Sequence, residues 1–184
     1  MADDKAWVRT VLDYWFGELK SEAWFRKDEA VDGDIRRRFA ALHGRLAAAG
    51  GLAADATADE ALATVIALDQ FPRNMYRDSP RMPESDALAL AVSQAAIARG
   101  LDTTLTPTQR QFLYMPFQHS EDKTVQARSV ALFAALGNAN NLKFAERHKE
   151  IVKRFLRVPH RNAALGIIST PDELAFLKEP NSSF

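Results

Sequence analysis

Three stretches of the chain place acids, histidines and arginines beside a proline: Asp69-Gln70-Phe71-Pro72-Arg73-Asn74, running on to Arg77; Tyr114-Met115-Pro116-Phe117-Gln118-His119-Ser120-Glu121-Asp122; and Arg157-Val158-Pro159-His160-Arg161-Asn162. Leu62, Val65 and Ile66 precede Asp69 at the spacing of a buried helical stripe, so a carboxylate is expected in the core. Such a group is costly to desolvate unless a cation or several hydrogen-bond donors meet it. Arg73, Arg77, Arg154, Arg157 and Arg161 carry the planar guanidinium that matches a carboxylate or phosphate in bidentate fashion, and a helix start at Ser120 would add backbone donors to such an anion. His119 with Glu121 or Asp122 is a pairing suited to proton transfer. The chain offers no glycine-rich phosphate loop and no seryl elbow beside it. His119, Glu121, Asp122, His148 and His160 are metal-ligand types, but no two histidines stand four apart on a helix, so neither a metal nor a cofactor is expected.

Each of these residues also has a plain structural use. Asp69 paired with Arg73 or Arg161 would make a core strut, and Glu121 with Asp122 is favoured in a first helical turn by the helix dipole alone. His148 lies on an apolar stripe and reads equally as a satisfied core histidine. His43, on the second helix, is assigned no role.

The elements that must position these groups follow from apolar spacing and stop signals. Val8, Val11, Leu12 and Trp15 mark a first helix ending near Gly17, with Trp24-Phe25 as an aromatic plug after it. Ile35, Phe39, Leu42 and Leu46 mark a second, closed by Gly50-Gly51. Thr57 with Glu60, Thr106 with Gln109 and Thr170 with Glu173 read as capping boxes that open three more helices. The helix carrying Phe112 to Met115 is expected to bend or end at Pro116, and the next to start at Ser120 and run to Gly137. A further helix places Phe144, His148, Ile151, Val152 and Phe155 on one face. No stretch shows the alternation of a strand, so the chain reads as all-α. Short connectors imply antiparallel helical hairpins, which suggests one domain over 1–184 stacked as a tetratricopeptide-like right-handed superhelix. The terminal Phe184 is a candidate to dock on the core.

With 184 residues, 47% of them hydrophobic, the chain is long enough to bury a core. Lys+Arg and Asp+Glu both number 24, so no global field points to nucleic acid or a membrane surface as a partner. The absence of cysteine excludes thiolate catalysis and a disulfide framework. The acidic start Met1-Ala2-Asp3-Asp4-Lys5 is unlike a signal peptide and no apolar run approaches a membrane span, so a cytoplasmic location is expected.

Val11-Leu12-Asp13-Tyr14-Trp15-Phe16-Gly17, Leu68 to Arg77, Met115 to Asp122, Glu146-Arg147-His148, Pro159-His160-Arg161-Asn162, and Pro180 with Ser182-Ser183-Phe184 stand in one order along nearly the whole chain. In these motifs the chain resembles the bacterial family known as domain of unknown function 924. The resemblance implies an all-helical, tetratricopeptide-like fold and brings no activity with it. Met82-Pro83 and Ile167 depart from the family pattern, the second where an arginine is frequent.

The reading that follows is a helical-repeat protein holding a small anionic ligand or a peptide end in a polar groove lined by Asp69, Arg73, Asn74, Arg77, His119, Glu121, Asp122, His148, Arg154, His160 and Arg161. The alternatives are an acid–base or metal-assisted hydrolase using His119 with Glu121 or Asp122, and a scaffold in which the polar residues only fix helix packing. Nothing in the sequence sets an oligomeric state.

Overall fold

The computed structural model describes residues 5–180 and 182. Phe184 lies outside them. Among the described residues all regular structure is helical. The first helix, α1 (Ala6–Asp13), runs on as a π-turn over Tyr14–Glu18, and α2 spans Glu29–Ala49. Next, α3 (Ala58–Val65) passes through a π-turn, Ile66–Gln70, into α4 (Phe71–Met75). Then come α5 (Asp86–Ala98), α6 (Pro107–His119), α7 (Lys123–Leu136) and α8 (Ala139–Phe155), a 3-10 turn at Pro159–Arg161, and α9 (Pro171–Phe176). None of these helices is long and apolar enough to cross a membrane.

The helix ends are set by local chemistry that the sequence announces. Thr57, Thr106 and Thr170 each accept from the backbone N–H three residues on, while Glu60, Gln109 and Glu173 reach back to the capping N–H. Gly50 and Gly137, at φ of 76° and 78°, close α2 and α7 in the left-handed conformation that a side chain would strain. Two expectations are corrected. The cap of α7 is Asp122, not Ser120: its carboxylate accepts from the N–H groups of Thr124 and Val125 at 2.8 and 2.9 Å. And α6 runs through Pro116 to His119 rather than ending there. Every side chain from Phe112 to Gln118 is buried, and the fully buried Gln126 donates from Nε2 to the carbonyls of Gln118 and Ser120 at 2.8 and 2.6 Å. Packing and this external cap outweigh the one backbone bond that the proline removes.

The core gathers the apolar faces of α1 to α8. Phe39 stacks on Phe71 with ring centroids 4.5 Å apart, and Trp15 and Trp24 meet Phe112 edge-on at 5.5 and 4.9 Å. Trp24 thus plugs the core as its position suggests, while its neighbour Phe25 stays exposed. Full burial of a ring such as Phe71 is worth about 2–3 kcal/mol. Along the chain α1 packs on α3, α2 on α4, α3 on α5, α5 on α6, α6 on α7, and α7 on α8. The middle of this succession brings the start of α5, the end of α6 and the 3-10 turn after α8 together beside the π-turn.

Candidate functional site

The site begins with what Pro72 takes away. Without an N–H it cannot serve the carbonyl of Leu68, one turn back, and the helix there widens into the Ile66–Gln70 π-turn. Ser85, just before α5, supplies the missing donor: its Oγ lies 2.6 Å from the Leu68 oxygen. That bond uses the only hydroxyl proton, so His43, 3.1 Å from the same Oγ, must donate from Nε2. His43 therefore braces a carbonyl and has no lone pair there for chemistry.

Asp69 is fully buried in the π-turn. Its carboxylate accepts from Gln70 Nε2 at 2.6 Å and from His119 Nδ1 at 2.7 Å, and lies 3.3 Å from Arg73 Nη1. Arg73 also donates to the Asp69 carbonyl at 2.5 Å and grips Asp86, the first residue of α5, with two bonds of 2.9 and 3.0 Å. Oδ2 of Asp86, one of the two oxygens that Arg73 holds, also lies 3.5 Å from Arg161 Nη1, and the same Nη1 lies 3.3 Å from the carbonyl of His119. His119, Asp69, Arg73, Asp86 and Arg161 thus form a closed ring drawn from four parts of the chain. Behind it, His148 on α8 approaches the His119 ring edge-on at 6.3 Å between centroids, with Gln118 Nε2 at 3.2 Å and the Phe144 carbonyl at 2.9 Å from its Nδ1.

Electrostatics divides these groups sharply. Burial alone would raise the Asp69 carboxyl, but Arg73 and His119 outweigh it and hold it below the ordinary carboxylate range. Burial and then Arg73 push His119 down against the pull of Asp69, so the imidazole is neutral at neutral pH. His148 is pushed down to about 3, chiefly by burial, and His160 to about 4 by burial and then Arg161. Arg161 is itself lowered by burial and by Arg73. With two carboxylates, two guanidiniums and a neutral imidazole, the ring carries no net charge. It meets solvent only at its edges: the side chains of Arg73, Asp86, His119 and Arg161 are 20%, 16%, 12% and 9% exposed.

The model of the family described as "Bacterial protein of unknown function (DUF924)" matches residues 11–181, which contain every member of the ring. The chain belongs to this family. The solved structure of a protein of unknown function from Agrobacterium tumefaciens is 35% identical to it, with a TM-score of 0.84 over 96% of this chain and 99% of that one. No curated protein matches the chain.

For this DUF924 chain, the polar residues expected to line one groove divide four ways. Asp69, Arg73, His119 and Arg161 converge, with His148 and His160 beside them. Asn74 and Arg77 turn to the other side of α4: Asn74 Nδ2 and Arg77 Nε and Nη2 all bond the Asp32 carboxylate, at 2.7, 3.0 and 3.0 Å, and tie α4 to α2. Arg154 is exposed, 4.0 Å from Glu179 and over the Phe155 ring. Glu121 is spent on the Val158 N–H at 2.9 Å and Asp122 on its cap, so neither is the acid partner of His119. Asp69 takes that place. The cap also fills the helix start where backbone donors for an anion were expected. Arg157 holds Glu173 in a bidentate pair at 2.6 and 2.8 Å. The member that sequence reasoning missed is Asp86, because an acid at a helix start has a sufficient local explanation. Its only signal is Ser85 beside it, which had to find a partner once buried.

Two open clefts lie along α1. One of about 530 Å³ is lined by Leu12, Asp13, Phe16, Gly17, Glu18 and Gln109; the other, of about 360 Å³, runs from Val8 and Arg9 to Thr57 and Glu60. Neither includes a ring residue. Among the described residues no three His, Asp or Glu side chains are grouped so as to hold a metal ion.

Proposed function

We propose that the protein binds a small oxyanion, a carboxylate or a phosphate, at the edge of the ring where Arg161, His160 and His119 meet solvent. Arg161 carries the reading. Its side chain is about nine-tenths buried, both of its side-chain contacts run through Nη1 at 3.3 and 3.5 Å, and its Nε has no hydrogen-bond partner among the described residues. A guanidinium has five donors, and leaving a buried one unused costs roughly 1–3 kcal/mol, more next to a charge. An oxyanion is the group that fills such a fork. Side chains that are only 9% to 20% exposed favour a small ligand over a peptide end.

A second reading, an acid–base enzyme, is favoured by the 2.7 Å bond between His119 Nδ1 and Asp69, which orients an imidazole as a buried carboxylate does in hydrolytic sites. In that form the pair is His119 with Asp69. Either reading takes the chain as one helical domain working in the cytoplasm. The neighbour-on-neighbour packing of α5 to α8 supports a tetratricopeptide-like superhelical stack.

The test is a thermal-shift panel of phosphate, short carboxylates and nucleotides. A native-state ligand at about 100 times its Kd adds about 2.7 kcal/mol of stability, a shift of several degrees. The expected result is a rise in Tm with at least one oxyanion, lost in Arg161→Gln. No shift anywhere in the panel would reduce the ring to a packing device.

A further inference from the structure

The hydrogen-bond polarity of His119 says more about the ligand than the charge of Arg161 does. Asp69 accepts from Gln70 Nε2 and lies 3.3 Å from Arg73, so its carboxylate is an acceptor with no proton to give. The proton between Asp69 and His119 therefore stays on Nδ1. A neutral imidazole with its proton on Nδ1 carries a lone pair on Nε2. That Nε2 has no hydrogen-bond partner among the described residues, and the ring edge reaches solvent. Arg161 Nη1 lies 3.3 Å from the carbonyl of the same residue. The two residues are thus joined through that carbonyl and make opposite demands on a ligand: the guanidinium wants an anionic oxygen and the imidazole nitrogen wants a donor.

We infer that the site takes an oxyanion that still carries an O–H, a hydrogen phosphate group or a hydroxycarboxylate, with its anionic oxygen on Arg161 and its hydroxyl donated to Nε2 of His119. This rests on the anion reading above and narrows it. An anion of the same shape without an O–H would set lone pair against lone pair at Nε2, and it would have to keep a water there or tilt away from Arg161. Asp69 acts here through His119: it is a positioning residue that fixes the tautomer.

The experiment uses matched anions on the wild-type chain at neutral pH, followed by titration calorimetry. Inorganic phosphate and sulfate are tetrahedral and alike in shape, but only phosphate keeps an O–H. Glycolate and acetate form the corresponding carboxylate pair. The expected result is at least about tenfold tighter binding of the O–H member, the ratio that one well-placed hydrogen bond supplies. A preference in the phosphate pair assigns a phosphate-type ligand, and one in the carboxylate pair a hydroxy acid. Equal affinities within both pairs overturn the inference and leave anion binding standing, whereas no binding by any of the four overturns the anion reading itself. His119→Phe supplies the independent check. It removes the Nε2 lone pair, keeps the main-chain carbonyl beside Arg161 and should erase the preference while both anions still bind. A preference that survives this substitution overturns the assignment of the hydroxyl to Nε2. The wild-type pairs decide the matter even if that variant folds poorly.

Discussion

Acid should unfold this protein in a window set by its histidines. All four of them are held below the ordinary 6.5, each chiefly by burial. A folded value below the unfolded one means that the unfolded chain takes up protons first, so the stability in question is complete above about 6.5 and drains away as pH falls. For His148 the window runs from 6.5 down to about 3, and for His160 down to about 4. Within it each histidine costs about 1.4 kcal/mol per pH unit. Between about pH 7 and pH 5 that is about 2 kcal/mol apiece, or about 4 kcal/mol for the two, against the roughly 5–15 kcal/mol that holds a domain folded. Asp69 joins only later: its lowered carboxyl surrenders its stabilisation as pH falls below the ordinary 3.8. Urea melts followed by circular dichroism at steps between pH 7 and pH 5 measure the slope directly. His148→Gln, which removes one titrating group but keeps a side-chain amide, should flatten it by about 1.4 kcal/mol per unit below 6.5. Stability that is level or rising on acidification across that range would refute the burial account of these imidazoles.

Two further outcomes follow from the geometry. Ser85→Ala strips the Leu68 carbonyl and the His43 Nε2–H of their partner at once, so urea denaturation should show a loss of about 1–3 kcal/mol, and a loss under about 0.5 kcal/mol would mean that water replaces the hydroxyl freely. Asp86→Ala leaves two buried guanidiniums without their shared acid and should cost about 3–5 kcal/mol; in double-mutant cycles its coupling to Arg73, held by two bonds, should exceed its coupling to Arg161, held at 3.5 Å, and the reverse order would show that the ring is not held as these distances imply.

Much of the frame could be read from the chain because its punctuation is local. A threonine three residues before a glutamate or glutamine, or a glycine after an apolar stripe, acts within one turn, and all three capping boxes and the stops at Gly50 and Gly137 are found where that chemistry puts them. Asp69 was legible for the same reason: helical spacing alone puts it in the core. What the spacing hides is which distant partner each polar group takes. Asn74 and Arg77 stand a few residues from Arg73 yet point across α4 to Asp32, because a few steps along a helix change the face. Glu121 and Asp122 stand next to His119 in sequence, but local backbone donors claim them first. Pro116 misled for the converse reason, since the Gln126 amide that steadies the end of α6 comes from the following helix.

The ring has a consequence for the order in which the chain assembles. Its members run from position 69 to position 161, and no single hairpin contains them all. Local helices and neighbouring pairs have far shorter loops to close, so the ring is sealed only after α5, α6 and the turn beyond α8 have docked. Bonds made that late are absent from the folding barrier and present in the finished molecule, so they act as a latch: they leave the speed of folding alone and slow the escape from the native state.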